Sequence, residues 1–304
     1  MSELILHHYA GSPFSEKVRL VLGFKQLAWR SVDVPVILPK PDVVALTGGY
    51  RRTPFLQVGA DIYCDSALMC EVIDATQPFP PLFDGAATRV LAQWADTDLF
   101  WAMIAHTMQP AGFAAIMGGL PPAVLQAFAA DRAAMTAGMK RPTARDATAQ
   151  LTSYFDWLEQ SLADGRSFLC GDAPSVADFS VAQSVWFIRR APPVAGVLEP
   201  FVRLAAWYGR VAAFGHGMRS EMSGVDALAL AASSTPVAVE VEADLGFAAG
   251  DEITVTPTDY AQDPVAGTLV GLSTKRVTLR RVDERAGTVH VHFPRVGYAV
   301  KAAG

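Results

Sequence analysis

Residues 7–24 read "HHYAGSPFSEKVRLVLGF". The apolar run "LILHHY" at 4–9 predicts a short strand, and Gly11-Ser12 a turn. Phe14, Val18, Val21 and Leu22 then recur at helical spacing. Ser12 suits the N-cap of that helix and Pro13 its first position. A thiol–disulfide oxidoreductase would carry Cys-x-x-Cys at such a junction. Here Ser12 and Ser15 stand at both cysteine positions. With no sulfur, disulfide exchange through this motif is chemically excluded.

Outward from this junction, "WRSVDVPVI" (29–37) reads as a second strand. "RTPFLQVGADIYCDSALMCEVIDA" (52–75) reads as strand, turn at Gly59-Ala60-Asp61, short strand, and a helix opening at Asp65-Ser66. This is a compact α/β pattern, ended by the proline-rich joint "TQPFPPLFDG" at 76–85. From 85 to 223 the periodicity is helical: "LTSYFDWLEQSL" (151–162) puts Leu151, Tyr154, Phe155, Leu158 and Leu162 on one face. Ser175 and Asp178 form a capping-box pair before another helix. "SGVDALALAASSTP" (223–236) reads as a linker. Beyond it "VAVEVEA", "DEITVTP", "AGTLVGL", "KRVTLRRV", "TVHVHF" and "VGYAV" predict short strands.

The 304 residues exceed one average domain, and 51% apolar with 18% charged residues fits a well-buried globular protein. A net charge of −5 gives no electrostatic reason to expect nucleic acid or an anionic membrane. No run approaches the roughly 18–20 apolar residues of a membrane span, and "MSELILHHY" lacks a signal-peptide pattern. Three cysteines, Cys64, Cys70 and Cys170, suggest neither a disulfide framework nor a zinc site. A cytoplasmic protein without metal, nucleic-acid or membrane partners is expected.

The order of Ser-Pro-Phe-Ser-Glu-Lys-Val-Arg (12–19), Thr53-Pro54, Asp65-Ser66 and "FLCGDAPSVADFSVA" (168–182) resembles the cytosolic glutathione S-transferase family, nearest its serine- or cysteine-using classes. The resemblance covers about residues 1–220. It implies an α/β thioredoxin-like N-terminal domain (1–80) and an all-α C-terminal-type domain of that family (85–223). The sequence pattern adds a small all-β barrel-like domain (236–304) outside the usual two-domain plan. The implied chemistry is activation of the glutathione thiol for attack on a hydrophobic electrophile, as in detoxification, in a homodimer. Ser12 is the first candidate for hydrogen-bond donor to the thiolate, followed by Ser15 and Tyr9. Thr53, before a cis Pro54, would pair with the cysteinyl residue. Asp65 and Ser66 would take the γ-glutamyl ammonium and carboxylate. Arg52, with Arg51, would help hold the dianionic tripeptide. The alternative is a catalytically weak scaffold of this family that recruits a protein partner through its β-domain.

Ordinary structural roles compete at each position. Ser12, Asp65 and Ser66 also suit simple helix caps, and Cys64 a buried inert thiol. Trp94, Phe100, Trp101 and His106 suit core as well as a co-substrate wall. His290 and His292 share a strand face, expected to be solvated, with no third metal ligand in sight. The β-domain is expected to fold independently and to be dispensable for thiol activation.

Overall fold

A computed structural model describes residues 3–303. Its first unit contains β1 (Ile5–His8), α1 (Pro13–Phe24), β2 (Ala28–Asp33), α2 (Pro41–Thr47), β3 (Phe55–Val58), β4 (Asp61–Cys64) and α3 (Ser66–Thr76). β1 runs parallel to β2 and antiparallel to β3, and β3 pairs antiparallel with β4. The sequence reading lacked α2, whose seven residues are too few to show a helical period. The elements α4 (Ala86–Trp94), α5 (Phe100–Thr107), α6 (Pro110–Met117), α7 (Pro122–Met135), α8 (Ala144–Ser161), α9 (Val176–Arg189) and α10 (Val202–Ala212) form the helical unit. α1 packs on α9 and joins the two units. A Cβ on Gly23 would lie 2.0 Å from the Gly215 carbonyl oxygen, so glycine is what lets α1 meet the turn after α10 so closely.

The segment expected to be a linker is instead α11 (Gly224–Ser233), capped by the Ser223 side chain and burying Ala227, Leu228 and Ala231. Its Ala/Ser content hid an amphipathic face made of small residues. A further unanticipated strand, β5 (Met218–Glu221), adds parallel to β2. Five strands close the chain: β6 (Glu252–Pro257), β7 (Val265–Leu272), β8 (Arg276–Asp283), β9 (Gly287–Pro294) and β10 (Tyr298–Ala302). They form the expected all-β unit, with the β8–β9 hairpin turning at Gly287, whose φ is 68°. "VAVEVEA" is not a strand; it makes one isolated bridge, Val241 to Leu272.

The β unit does not stand apart. β9 pairs in parallel with β4 through Asp61–His290, Ile62–Val291 and Tyr63–His292. All ten strands thereby form one sheet in the order β10-β6-β7-β8-β9-β4-β3-β1-β2-β5. The expectation of an independently folding tail did not include this pairing, which residue alternation alone cannot reveal. His292 is also not solvated. It is 1% exposed, stacks on Tyr63 at 4.5 Å and bonds Asp61 through Nε2 at 2.8 Å. His290 keeps partial exposure, with Nδ1 3.1 Å from the Val237 carbonyl. No group of three potential metal ligands occurs among the described residues.

β1 is buried along its whole length, so its two histidines must satisfy their nitrogens inside the protein. His7 stacks on Phe55 at 4.2 Å and bonds Gln57 at 2.8 Å, and Gln57 donates to the Ala227 carbonyl of α11 at 2.8 Å. His8 Nδ1 accepts from Arg19, which can only donate, and its Nε2 therefore donates to Ser31 Oγ at 2.9 Å. Burial pushes His7 down to about 4, and burial with the Arg19 charge pushes His8 down to about 3. Both fold neutral, whereas unfolded histidines take a proton near pH 6.5. Stability is therefore full above about 6.5 and falls as pH drops toward those lowered values. Urea denaturation should show a loss of about 2 kcal/mol per histidine between pH 7 and 5, and His7→Gln should show a shallower pH dependence than wild type.

Candidate functional site

α1 and α3 both begin beside the loop that enters β3. At α1, Ser12 Oγ accepts from the Ser15 amide at 3.2 Å and its hydroxyl lies 3.4 Å from the Thr53 carbonyl oxygen. Ser12 is thus a helix cap that reaches the loop, and it is 2% exposed. The Thr53–Pro54 bond is cis. Lys40 reaches the same loop: its Nζ donates to Thr53 Oγ1 at 3.2 Å and to the Arg51 carbonyl at 3.3 Å. Burial, aided by Arg132, lowers Lys40 to about 8.

At α3, Asp65 is the N-cap, with a positive φ of 80°. One carboxylate oxygen accepts from the Ala67 amide at 2.9 Å. Ser66 follows, and its hydroxyl accepts from Lys17 Nζ at 3.3 Å. Lys17 is completely buried and pairs with Asp96 at 2.5 Å, while the other Asp96 oxygen accepts from Gln183 of α9 at 2.8 Å. Asp96 lies on a π-helical turn, Ala95–Leu99, between α4 and α5. Such turns re-aim a side chain within a continuous helix. Burial alone would lower Lys17, but the Asp96 charge offsets this and holds it above its ordinary value. Burial pushes the Asp96 carboxyl up against the pull of Lys17. The ion pair therefore backs the start of α3 with a fixed cation.

A narrow cavity of about 100 Å³ lies over these groups. Arg52, Thr53, Pro54, Asp65 and Ser66 all line it, together with Asp96. Ser12, Ser15 and Tyr9 do not line it. The Ser15 hydroxyl is buried without a partner, and half-buried Tyr9 offers its carbonyl to the Ser12 amide at 3.2 Å. The structure thus gathers the five binding candidates and places the three donor candidates behind them.

The C-terminal unit supplies one further wall through Asp259, Tyr260, Pro294, Val296, Gly297 and Tyr298. The Tyr298 hydroxyl donates to the second Asp65 oxygen at 3.1 Å and meets the Tyr50 hydroxyl at 3.0 Å. Arg52 pairs with Asp259 and also donates to the Tyr260 carbonyl, with its guanidinium 3.9 Å from the Tyr260 ring centre. The sequence reading missed these residues, since strand alternation does not say which chain segment a turn will cover. It also missed Lys17 and Asp96. A lysine on an inward helical position was the signal available for the first.

Of the aromatic candidates, Phe100 packs on Phe14 at 4.6 Å and Trp101 meets Tyr260 edge-on at 5.1 Å. Trp94 packs instead on Tyr154. His106 is a core residue, satisfied by Thr148 and the Val194 carbonyl at 2.8 and 3.0 Å. Cys64 and Cys70 are buried and Cys170 is exposed. Burial raises all three thiols, Cys70 to about 12.

Family profiles match the chain twice: "Glutathione S-transferase, N-terminal domain" over residues 6–81 and "Glutathione S-transferase, C-terminal domain" over 123–210. The crystal structure of a GST-like protein from Pseudomonas syringae is 39% identical, with a TM-score of 0.82 over 100% of both chains. Its match therefore includes the C-terminal strands. A glutathione transferase from Phanerochaete chrysosporium is 20% identical with a TM-score of 0.56, over 70% of this chain and 98% of its own. A glutathione S-transferase from Rhodospirillum rubrum F11 is 21% identical, TM-score 0.52, over 69% and 87%. These last two share the fold. No curated protein matches the chain.

Removing one member of a buried pair strands the other charge, at a cost of about 3–5 kcal/mol. Lys17→Met and Asp96→Asn should each destabilise the protein strongly. The double variant should cost less than the sum of the two, as denaturant midpoints would show.

Proposed function

The chain belongs to the glutathione S-transferase family, and from that premise we propose that it activates the glutathione thiol for attack on a hydrophobic electrophile. The observation that carries this reading is the convergence of the α1 and α3 N-termini on the Thr53–Pro54 loop. Both ends carry hydroxyl side chains and partial positive charge. Glutathione would lay its cysteinyl backbone along Thr53. Its γ-glutamyl carboxylate would meet Ser66 and the first amides of α3, held positive by Lys17 behind. Its ammonium group would meet Asp65, and Arg52 would balance the second carboxylate. Ser12 would then donate to the thiolate, favouring the charged sulfur and raising its population near neutral pH. The chemical step is nucleophilic attack: sulfur supplies the electron pair, and the electrophile's leaving group or adjacent atom accepts it. We place this activity in a cytoplasmic homodimer with a detoxifying role.

A second reading, a weakly catalytic scaffold that recruits a partner through the C-terminal strands, draws support from one observation. Ser12 already caps α1 and points its hydroxyl at the Thr53 carbonyl, so donation to a thiol requires it to turn. Retention on immobilised glutathione with turnover of an electrophile panel separates the readings. Turnover belongs to the first alone.

Ser12→Ala should raise the bound thiol's pKa and lower kcat/KM by about 10- to 150-fold, the worth of one charge-assisted hydrogen bond. Stability should fall by about 1 kcal/mol with the lost cap. Ser66→Ala should act differently, weakening glutathione affinity more than it slows the bound reaction. Thiolate absorbance titration and steady-state kinetics on the two variants check this division. Full turnover in Ser12→Ala together with loss in Ser15→Ala or Tyr9→Phe would reassign the donor.

A further inference from the structure

We propose that Asp259 is an internal ligand of this site, seated on Arg52 where the glycyl carboxylate of glutathione would bind, so that glutathione and the protein's own loop compete for one cation. The inference rests on the glutathione reading above and adds a regulation and specificity element to it.

Four observations carry it. First, Arg52 is the one arginine or lysine among the residues lining the cavity, and its guanidinium is taken by Asp259 and the Tyr260 carbonyl. Second, the pair is unequal: the Arg52 side chain is 9% exposed and that of Asp259 38%. Asp259 sits in the connection between β6 and β7, which has no helix or strand of its own. A buried cation held by an exposed loop carboxylate is an arrangement that another carboxylate can displace, because the loop's acid returns to water when released. Third, Arg52 Nε is buried without a partner. The fork therefore retains an unused donor, although a carboxylate can take two parallel bonds from a guanidinium. Fourth, with Asp259 in place the lining carries Asp65, Asp96 and Asp259 against Arg52 alone. Such a wall suits an ammonium-bearing head and opposes a second carboxylate.

The other connection of the C-terminal strands acts at the same place. Tyr298, at the start of β10, holds the Asp65 carboxylate. Both ends of the cavity are thus touched by one unit, and its about 100 Å³ is far below the roughly 300–1,000 Å³ of pockets that enclose drug-sized ligands. Seating a second carboxylate on Arg52 requires Asp259 to withdraw from it. A ligand that needs Arg52 free of Asp259 has its affinity reduced by the fraction of molecules in that state.

The test compares glutathione with its glycyl monoethyl ester, which lacks the second carboxylate, on the full chain by calorimetry. Asp259→Asn should tighten glutathione by on the order of tenfold and change the ester little. Asp263→Asn, which removes a more exposed acid of the same loop lying 3.7 Å from Arg51, should leave both near wild type. Hydrogen exchange at amides 258–263 should quicken when glutathione is added to wild type. Equal gains for glutathione and ester, an equal gain in Asp263→Asn, or protection of 258–263 by glutathione would each overturn the proposal. Unchanged affinity in Asp259→Asn, with wild type binding glutathione, would overturn it and leave the proposed function standing. If neither wild type nor Asp259→Asn binds glutathione, the proposed function itself falls and the internal ligand with it.

Discussion

Three residue pairs between β4 and β9 decide where everything C-terminal to residue 250 lies. The pairing is parallel, so both strands point the same way and whatever follows one lies beside whatever follows the other. Asp65 and Ser66 follow β4 directly. Pro294, Gly297 and Tyr298 end or follow β9. With Tyr63 opposite His292, continuing both chains brings Asp65 level with Pro294. The turn after β9 is thereby delivered to the start of α3, where the candidate binding residues are gathered. The edge of β4 would otherwise present unpaired amides and carbonyls. One register thus covers an exposed edge and builds a wall of the site.

The Asp61–His292 contact sits in the middle of this seam, with both side chains 2% exposed or less. Burial lowers His292 against the raising pull of Asp61. The other Asp61 oxygen accepts from the Val237 amide at 3.0 Å. A single buried carboxylate therefore ties β4 to β9 and to the chain that leads from α11 into the β unit. A one-residue slip of β9 would turn His292 away from Asp61 and carry Val291 and Phe293 off their buried face. Polar satisfaction and hydrophobic alternation here specify the same register.

Apart from α2, the first 76 residues were legible because each local signal there agrees with the global fold. The Ser12-Pro13 cap, the hairpin at Gly59-Ala60-Asp61 and the cap at Asp65 all appear where their residue types place them. The β8–β9 hairpin was legible for the same reason. Other features were not. α11 was hidden because alanine and serine carry little hydrophobic contrast, although it packs on β9 and α2 and buries Ala227, Leu228 and Ala231. The Lys17–Asp96 pair spans 79 residues, and no local rule pairs charges over that distance. The β4–β9 seam is a contact between strands 229 residues apart, and strand propensity says nothing about partners. His292 was misjudged as solvated because alternation assumed one wet face, whereas β4 and Tyr63 cover it. The candidate site followed the same division: its floor was readable, and its roof was not.

That roof also explains how so short a β unit persists. Some 50 residues from β6 to β10 bury a modest core, with Ile253, Val265, Leu279, Val291 and Phe293 at its centre. Units of this size are marginal alone. Gly287, at the β8–β9 turn, approaches the Ala232 Cα of α11, where an added Cβ would come within 3.1 Å. Tyr298 packs on Phe293 and bonds Tyr50 and Asp65. The unit thus draws part of its stability from the same contacts that close the cavity. Docking of the strands and closure of the site are linked equilibria. A ligand that displaces Asp259 from Arg52 works against contacts that also hold the β unit in place. The seam is held by strand pairing, whereas the β6–β7 connection is held to the body by the Ala261 amide's bond to the Met135 carbonyl at 2.7 Å and by side-chain contacts at Arg52 and Trp101.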